Sequence, residues 1–368
     1  MCDRRGVFGD IRLPSTRADA LAVNETLQRA VRQSPSGSVR VWAMITFGFE
    51  LPMLLLHMQT LEGAVEGFIV SESLHSFQTK HRKRLVLTEA LANGSVVPSG
   101  LARKISVRVV SLSEAQASCG GWRRDFSACF EARQRVATLE LLFAKARRHD
   151  LALIADVDEI ARPEVVAALA RCRPFSEAVG TWALEAKEYV FGVHCSTGYM
   201  WRRGPLAASV ASLQRLSTTA QDEARKRGAA APDMFLLDAL RNAGLRRIPR
   251  IARGGWHLTS FGSPASVRRK FRTWGHAATF ANVPGALAED RLERCARHCL
   301  RADPVVPRGV GRGRPVRLVS PSCQGRADPT ARPLPGRVLG AHDVATADLP
   351  PYLLANRRAF ADFFRYVQ

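Results

Sequence analysis

The chain predicts an α/β protein with a mostly parallel sheet, and three observations carry that reading. Short apolar, β-branched runs alternate with amphipathic helical segments from residue 39 onward. Some of those runs finish in polar or acidic residues, as strands do at the carboxyl edge of an open sheet. The 368 residues, 46% of them hydrophobic, suffice to bury at least one large core.

Taken in order, VRVWAMITF (39–47) reads as a strand, LPMLLLHMQTLEGA (51–64) as a helix and VEGFIVSES (65–73) as a second strand. A helix near 87–93 precedes the alternating strand KISVRVVSL (104–112). The long amphipathic helix FEARQRVATLELLFAKARRHD (130–150) leads into the buried strand LALIAD (151–156). From about 175 to 260, strand-like pieces such as VGTWALEAKEYVFGV (179–193) lack clear crossovers and predict a more antiparallel half. LPPYLLANRRAFADFFRYV (349–367) reads as an amphipathic helix that docks back on the rest.

These elements divide the chain. Residues 1–38 are expected to be a mobile leader, 39–275 the main domain, 276–302 a helical extension and 338–368 the docking C-terminal helix. Between the last two, 303–337 sets seven arginines, from Arg308 to Arg337, among many Pro and Gly, a composition that buries little apolar area and predicts a disordered basic insertion.

The formal charge of +21 suggests polyanionic partners: nucleic acid, an anionic membrane surface or a phosphate-bearing substrate. Only seven of the 54 basic residues are lysine, and the arginines are scattered among Ala, Gly and Pro, so biased composition accounts for part of that charge. The interleaved aromatics of a nucleic-acid stacking platform are missing, and no specific nucleic acid is expected. No apolar run is long enough for a membrane span and no signal-peptide series opens the chain. Eight irregularly spaced cysteines are too few for a disulfide framework in a chain this long, leaving room for one or two bridges. Cys295, His298 and Cys299 share a helical face, but a zinc site lacks a nearby fourth ligand.

The chemistry concentrates in ADVDEIARPEVV. Three acids, Asp156, Asp158 and Glu159, follow a buried strand within four positions and repel one another, which points to a cation that the sequence does not show. Strand alternation would project Asp156 and Asp158 together at the carboxyl edge, where hard oxygen donors suit Mg²⁺ or Mn²⁺ and, through the metal, a diphosphate. On this reading Asp158→Asn leaves the folding of the metal-free protein unchanged or slightly strengthened. The alternative is an acidic turn opening a helix at Pro163 and Glu164. A phosphatase in which the first Asp is the nucleophile ranks lower, because no later Asp-Asp pair is present for its metal.

Four blocks in order resemble glycosyltransferase family 17, the family of the bisecting β-1,4-N-acetylglucosaminyltransferases. FELPMLLLHMQTLEGAVEGFIVSESLHSFQTKHRKRL (49–85) resembles that family's opening helix, strand and loop, and ADVDEIARPEVV its acidic signature. GGWHLTSFGSPASVRRKF (254–271) resembles its Gly-Trp-His segment and LPPYLLANRRAF its closing motif. Departures include Pro52 where Asp is usual, His57 for Arg, Thr79 for a loop Gly, Arg84 for a loop Pro, and Ala161 for the Pro after Glu-Ile.

The resemblance implies a GT-A-like nucleotide-sugar-binding fold. It also implies an inverting transfer of N-acetylglucosamine from UDP-N-acetylglucosamine to a mannose of an N-glycan, in the Golgi or secretory lumen. The sequence alone is equally compatible with a cytoplasmic protein, and membrane association would need an anchor upstream or the basic segment. Asp156, Asp158 and His257 are the expected metal ligands, for Mn²⁺ or Mg²⁺. Glu72, Lys80, Lys83, Arg135 and Asp156 are the expected donor-binding residues, although an ion pair between Arg135 and Glu131 one turn away is the plainer account of that arginine. The general base is expected among Glu185, Glu188 and Asp233, with no geometry to choose. The alternative function is a basic protein binding nucleic acid or anionic lipid on a degenerate catalytic domain.

Overall fold

The computed structural model describes residues 39–77, 80–119, 126–171, 181–226, 236–243, 248–273, 288–299, 343–344 and 347–367. The expected leader, the 303–337 insertion and Asp233 lie outside them.

The first half runs β1 (Val41–Thr46), α1 (Leu51–Leu61), β2 (Gly67–Ser73), α2 (Val86–Asn93), α3 (Ser99–Ala102), β3 (Ile105–Val110), α4 (Leu112–Cys119), α5 (Phe126–Lys145) and β4 (Leu151–Asp156). The second half runs β5 (Glu159–Ala161), α6 (Pro163–Arg171), β6 (Thr181–Val190), β7 (Ser196–Trp201), β8 (Leu206–Ser209), α7 (Val210–Lys226), α8 (Leu236–Ala243), β9 (Arg250–Thr259), α9 (Pro264–Thr273), α10 (Glu289–Arg297) and α11 (Pro351–Ala355). All nine strands join one mostly parallel sheet in the order β3-β2-β1-β4-β8-β6-β9-β5, with β7 paired to β6 beside that path. Strands β3, β2, β1 and β4 are mutually parallel. The second half is the more antiparallel: β8 opposes both β4 and β6 and β5 opposes β9, while β6 and β9 run parallel. This is a GT-A-like α/β fold.

Alternation along the strands builds two apolar layers. Val41, Ala43, Ile45, Leu151 and Leu153 pack on one face with Met53 and Leu54 of α1 and Leu353 and Leu354 of α11. Met44, Ala152 and Ile154 pack on the other with Leu139 and Leu142 of α5. With both faces of the parallel half covered, its strands read as nearly continuous apolar runs.

Two expected helices differ in extent, each for a local reason. Helix α5 ends at Lys145 because the Asp150 carboxylate accepts the Arg147 backbone N–H at 2.8 Å and forms a turn into β4. The closing segment is not one helix. Asn356 leaves helical geometry (φ −116°, ψ 38°), its side-chain amide donates back to the Tyr352 carbonyl at 2.9 Å, and a 3₁₀ turn follows over Ala361–Phe364.

Disulfides join Cys119 to Cys129 and Cys195 to Cys299, and Cys295 is also disulfide-bonded. A zinc site at Cys295, His298 and Cys299, already short of a fourth ligand in the sequence, is ruled out by chemistry, as is one at the neighbouring His194, Cys195 and Cys299, since bridged sulfurs offer no thiolate.

Candidate active site

The three acids find their cations within the chain. Strand β4 stops at Asp156 and a turn follows at once, so alternation does not carry through to Asp158 and the two carboxylates take separate partners. Asp156 is met by Nη2 of Arg135 at 3.1 Å, from α5, and by Nη2 of Arg241 at 2.8 Å, from α8. Burial would raise the Asp156 pKa, but the two guanidinium groups outweigh it and hold the carboxyl well below the usual range. Arg241 also binds Glu159 at 2.7 Å, and Glu159 accepts the Trp201 indole N–H at 2.6 Å. Asp158 is met by the Lys270 ammonium at 2.8 Å, from α9, which touches Glu50 at 2.9 Å as well.

One ammonium thus serves two carboxylates. Burial disfavours the Lys270 charge, yet Asp158 and Glu50 together raise its pKa. Burial and the nearby Asp158 charge push Glu50 up, against the pull of Lys270. Glu50 immediately precedes α1, and its carboxylate turns to Lys270 instead of capping the helix.

Strand pairing places the second group. His257 on β9 stands opposite Glu188 of β6 and opposite Glu159 of β5, so three polar side chains lie abreast. This packing requires glycine just upstream: a Cβ at Gly255 would lie 2.5 Å from the Ile160 carbonyl oxygen, and one at Gly254 would lie 2.7 Å from the Leu184 Cβ. The Glu188 carboxylate faces His257 Nδ1 at 3.3 Å, so Nδ1 carries a hydrogen and Nε2 points to Asp158 Oδ2, 3.9 Å away. Burial opposes the imidazolium, but the Glu188 hydrogen bond and the Asp158 charge raise the His257 pKa. Trp201 stacks on the same ring, with centroids 4.4 Å apart.

The family model described as glycosyltransferase family 17 matches residues 13–225, more than half of the chain. This chain belongs to that family. It is a glycosyltransferase and therefore takes a sugar donor and a glycan acceptor. No curated protein matches it. The family match ends before His257 and Lys270, which the fold brings to the acidic signature.

Of the residues expected to serve this family's chemistry, the structure brings Arg135, Asp156, Asp158, Glu188 and His257 into one cluster at the carboxyl edge. Arg135 also makes the expected ion pair with Glu131, at 2.5 Å. Lys83 lies at the margin, donating to the Gly48 carbonyl at 2.5 Å; burial lowers its pKa to about 8.

Others lie elsewhere. Glu72 is a correction: it is fully buried, and its carboxylate accepts the backbone N–H groups of Leu87 and Thr88 at the start of α2, both at 3.2 Å, so it serves as a helix cap and not as a nucleotide contact. Lys80 spreads its ammonium over the Phe126 ring at 4.3 Å. Glu185, three positions before Glu188, points to the opposite side of β6 and pairs with Arg202 at 3.1 Å. Glu50, Trp201, Arg241 and Lys270 carry no local sign of this placement, although Glu50 and Lys270 stand inside family-like blocks.

No helix among the described residues is long and apolar enough to cross a membrane.

Proposed function

We propose that this chain is an inverting N-acetylglucosaminyltransferase taking UDP-N-acetylglucosamine as donor and a mannose of an N-glycan as acceptor, with a divalent ion held at Asp158 and His257. The observation that carries the ion is the array Glu188, His257, Asp158. Metal-binding histidines characteristically donate their second ring N–H to a carboxylate, which fixes the tautomer and aims the other nitrogen. Here Glu188 fills that place and the aimed nitrogen faces an acid. The carboxylate oxygens suit Mn²⁺ or Mg²⁺, and the imidazole nitrogen, a softer donor, favours Mn²⁺ of the two. When bound, the ion would supply positive charge against the departing diphosphate.

The chain's own groups supply the rest. Arg135 and Arg241 immobilise Asp156, whose oxygens they occupy, so the metal reading rests on Asp158 and His257. Glu188 orients His257 and is assigned as a positioning residue. Lys83 and Lys270 bring further positive charge to the edge where a diphosphate would lie. The disulfides, Cys119–Cys129 and Cys195–Cys299 among them, support a secretory-lumen site of action, because such bonds persist in oxidising compartments. The alternative of a basic binding protein depended on residues 303–337, which lie outside the described residues, and no described feature favours it.

The test is thermal melting with UDP-N-acetylglucosamine, with and without Mn²⁺. Donor at about 100 times its dissociation constant should stabilise by roughly 2.7 kcal/mol when Mn²⁺ is present. Equal stabilisation in EDTA would remove the ion from this reading, and stabilisation by other UDP-sugars alone would remove the donor.

A further inference from the structure

Lys270 holds a position that a divalent ion would contest. Its ammonium lies 2.8 Å from Asp158 Oδ2, and His257 Nε2 faces that same oxygen from 3.9 Å. An ion joined to both groups through bonds of roughly 2.1–2.2 Å would sit within about 5 Å of the ammonium, where like charges repel strongly in a site this enclosed. The Lys270 side chain is only 11% exposed, so water does little to weaken that repulsion.

Charge counting shows what relieves it. Glu50 and Asp158 contribute two negative charges and Lys270 one positive. A dication arriving alone must compete with the ammonium for the Asp158 oxygen and stand against its like charge. A nucleotide diphosphosugar arriving alone adds one negative charge per phosphate to a group already negative. Ion and nucleotide together add none. The ammonium, on a flexible four-carbon stem, then has phosphate oxygens to move to.

We infer that Lys270 is a built-in counter-ion that keeps Asp158 from capturing a divalent ion until a nucleotide diphosphate arrives, so that ion and sugar nucleotide bind as one cooperative unit. This rests on the assignment of Asp158 and His257 as ion ligands. Coupling of this kind is reciprocal: whatever factor UDP adds to ion affinity, the ion adds to UDP affinity. Lys270 is accordingly a positioning residue, and its signature lies in the coupling between ligands and not in a rate alone.

The experiment titrates Mn²⁺ into the full chain with and without saturating UDP, reading free Mn²⁺ by its paramagnetic resonance against a protein-free control. For the wild type, UDP should tighten Mn²⁺ binding by about tenfold or more. Lys270→Met should bind Mn²⁺ without UDP about tenfold more tightly than the wild type, with most of the coupling gone, and Lys270→Arg should keep it. A Lys270→Met protein that binds Mn²⁺ alone no better than wild type overturns the inference. So does a wild type that holds Mn²⁺ equally with and without UDP, a result that stands even if the methionine variant fails to fold. A wild type that binds no Mn²⁺ even with UDP present overturns the ion assignment itself, which separates the two failures.

Discussion

Asp158 shows how far a carboxylate's meaning depends on partners remote in sequence. Read alone, three acids within four positions repel, and neutralising one should relieve the fold. In the structure, Asp158 is 10% exposed at its side chain and bound to Lys270, 112 residues away. Its pKa is governed first by burial, which raises it, and then by Lys270 and His257, which outweigh burial and lower it. Asp158→Asn therefore removes a stabilising partner. The metal-free variant should lose roughly 2–3 kcal/mol, less than a full buried-pair loss because Lys270 keeps Glu50. Urea unfolding in EDTA measures this, and a variant as stable as wild type would restore the repulsion account. Turnover should fall about a thousandfold if Asp158 holds the ion, at about 1.4 kcal/mol per decade.

At the scale of elements, the turn between β4 and β5 is held by α1. His57 is buried, and its Nδ1 lies 3.0 Å from the Val157 carbonyl, between the two signature acids. A carbonyl only accepts, so neutral His57 must carry its hydrogen on Nδ1. Burial lowers the His57 pKa from 6.5 to about 4, against the pull of that hydrogen bond and of Glu159 and Asp158. Between those pH values the unfolded chain binds a proton that the folded protein does not, so stability falls as pH drops through the window, by up to roughly 3 kcal/mol. His57→Asn keeps a donor near the carbonyl without a titrating ring and should show that much less acid sensitivity between pH 6.5 and 4. Matching slopes for the two proteins would show that His57 is not responsible. The sequence made these elements legible because strand and helix periodicity is local: β1, α1, β2 and β4 all appear within a few residues of their expected bounds. What it hid was the partners of the acids, since nothing local says that the turn after Asp156 sends Asp156 and Asp158 to different helices.

For the molecule as a whole, family blocks gave the signature acids, His257 and the closing motif, but not the brace that ties that motif to the site. That brace is made by contacts across the fold. Asp348 forms an ion pair with Arg162, which is buried at 2% side-chain exposure and stacks on Trp256 with its guanidinium carbon 4.3 Å from the ring centroid. The Asp348 carbonyl accepts the Trp256 indole N–H at 3.0 Å and the Tyr189 hydroxyl at 2.9 Å. Leu349, Leu353, Leu354, Phe360 and Phe363 then fill the core beside α1. Trp256 adjoins His257, so the end of the chain supports the strand that carries a proposed ligand. Asp348→Ala leaves Arg162 buried with Glu164, at 3.7 Å, as its remaining carboxylate among the described residues and should destabilise by roughly 2–4 kcal/mol, because a buried guanidinium without its close carboxylate is strongly unfavourable. The backbone carbonyl bonds survive that change, so His257 keeps its place and UDP affinity per folded molecule should stay within about threefold, less than 1 kcal/mol. Urea unfolding and UDP titration on one variant separate brace from ligand. A loss of binding with stability intact would mean that Asp348 acts in the site and not through the fold.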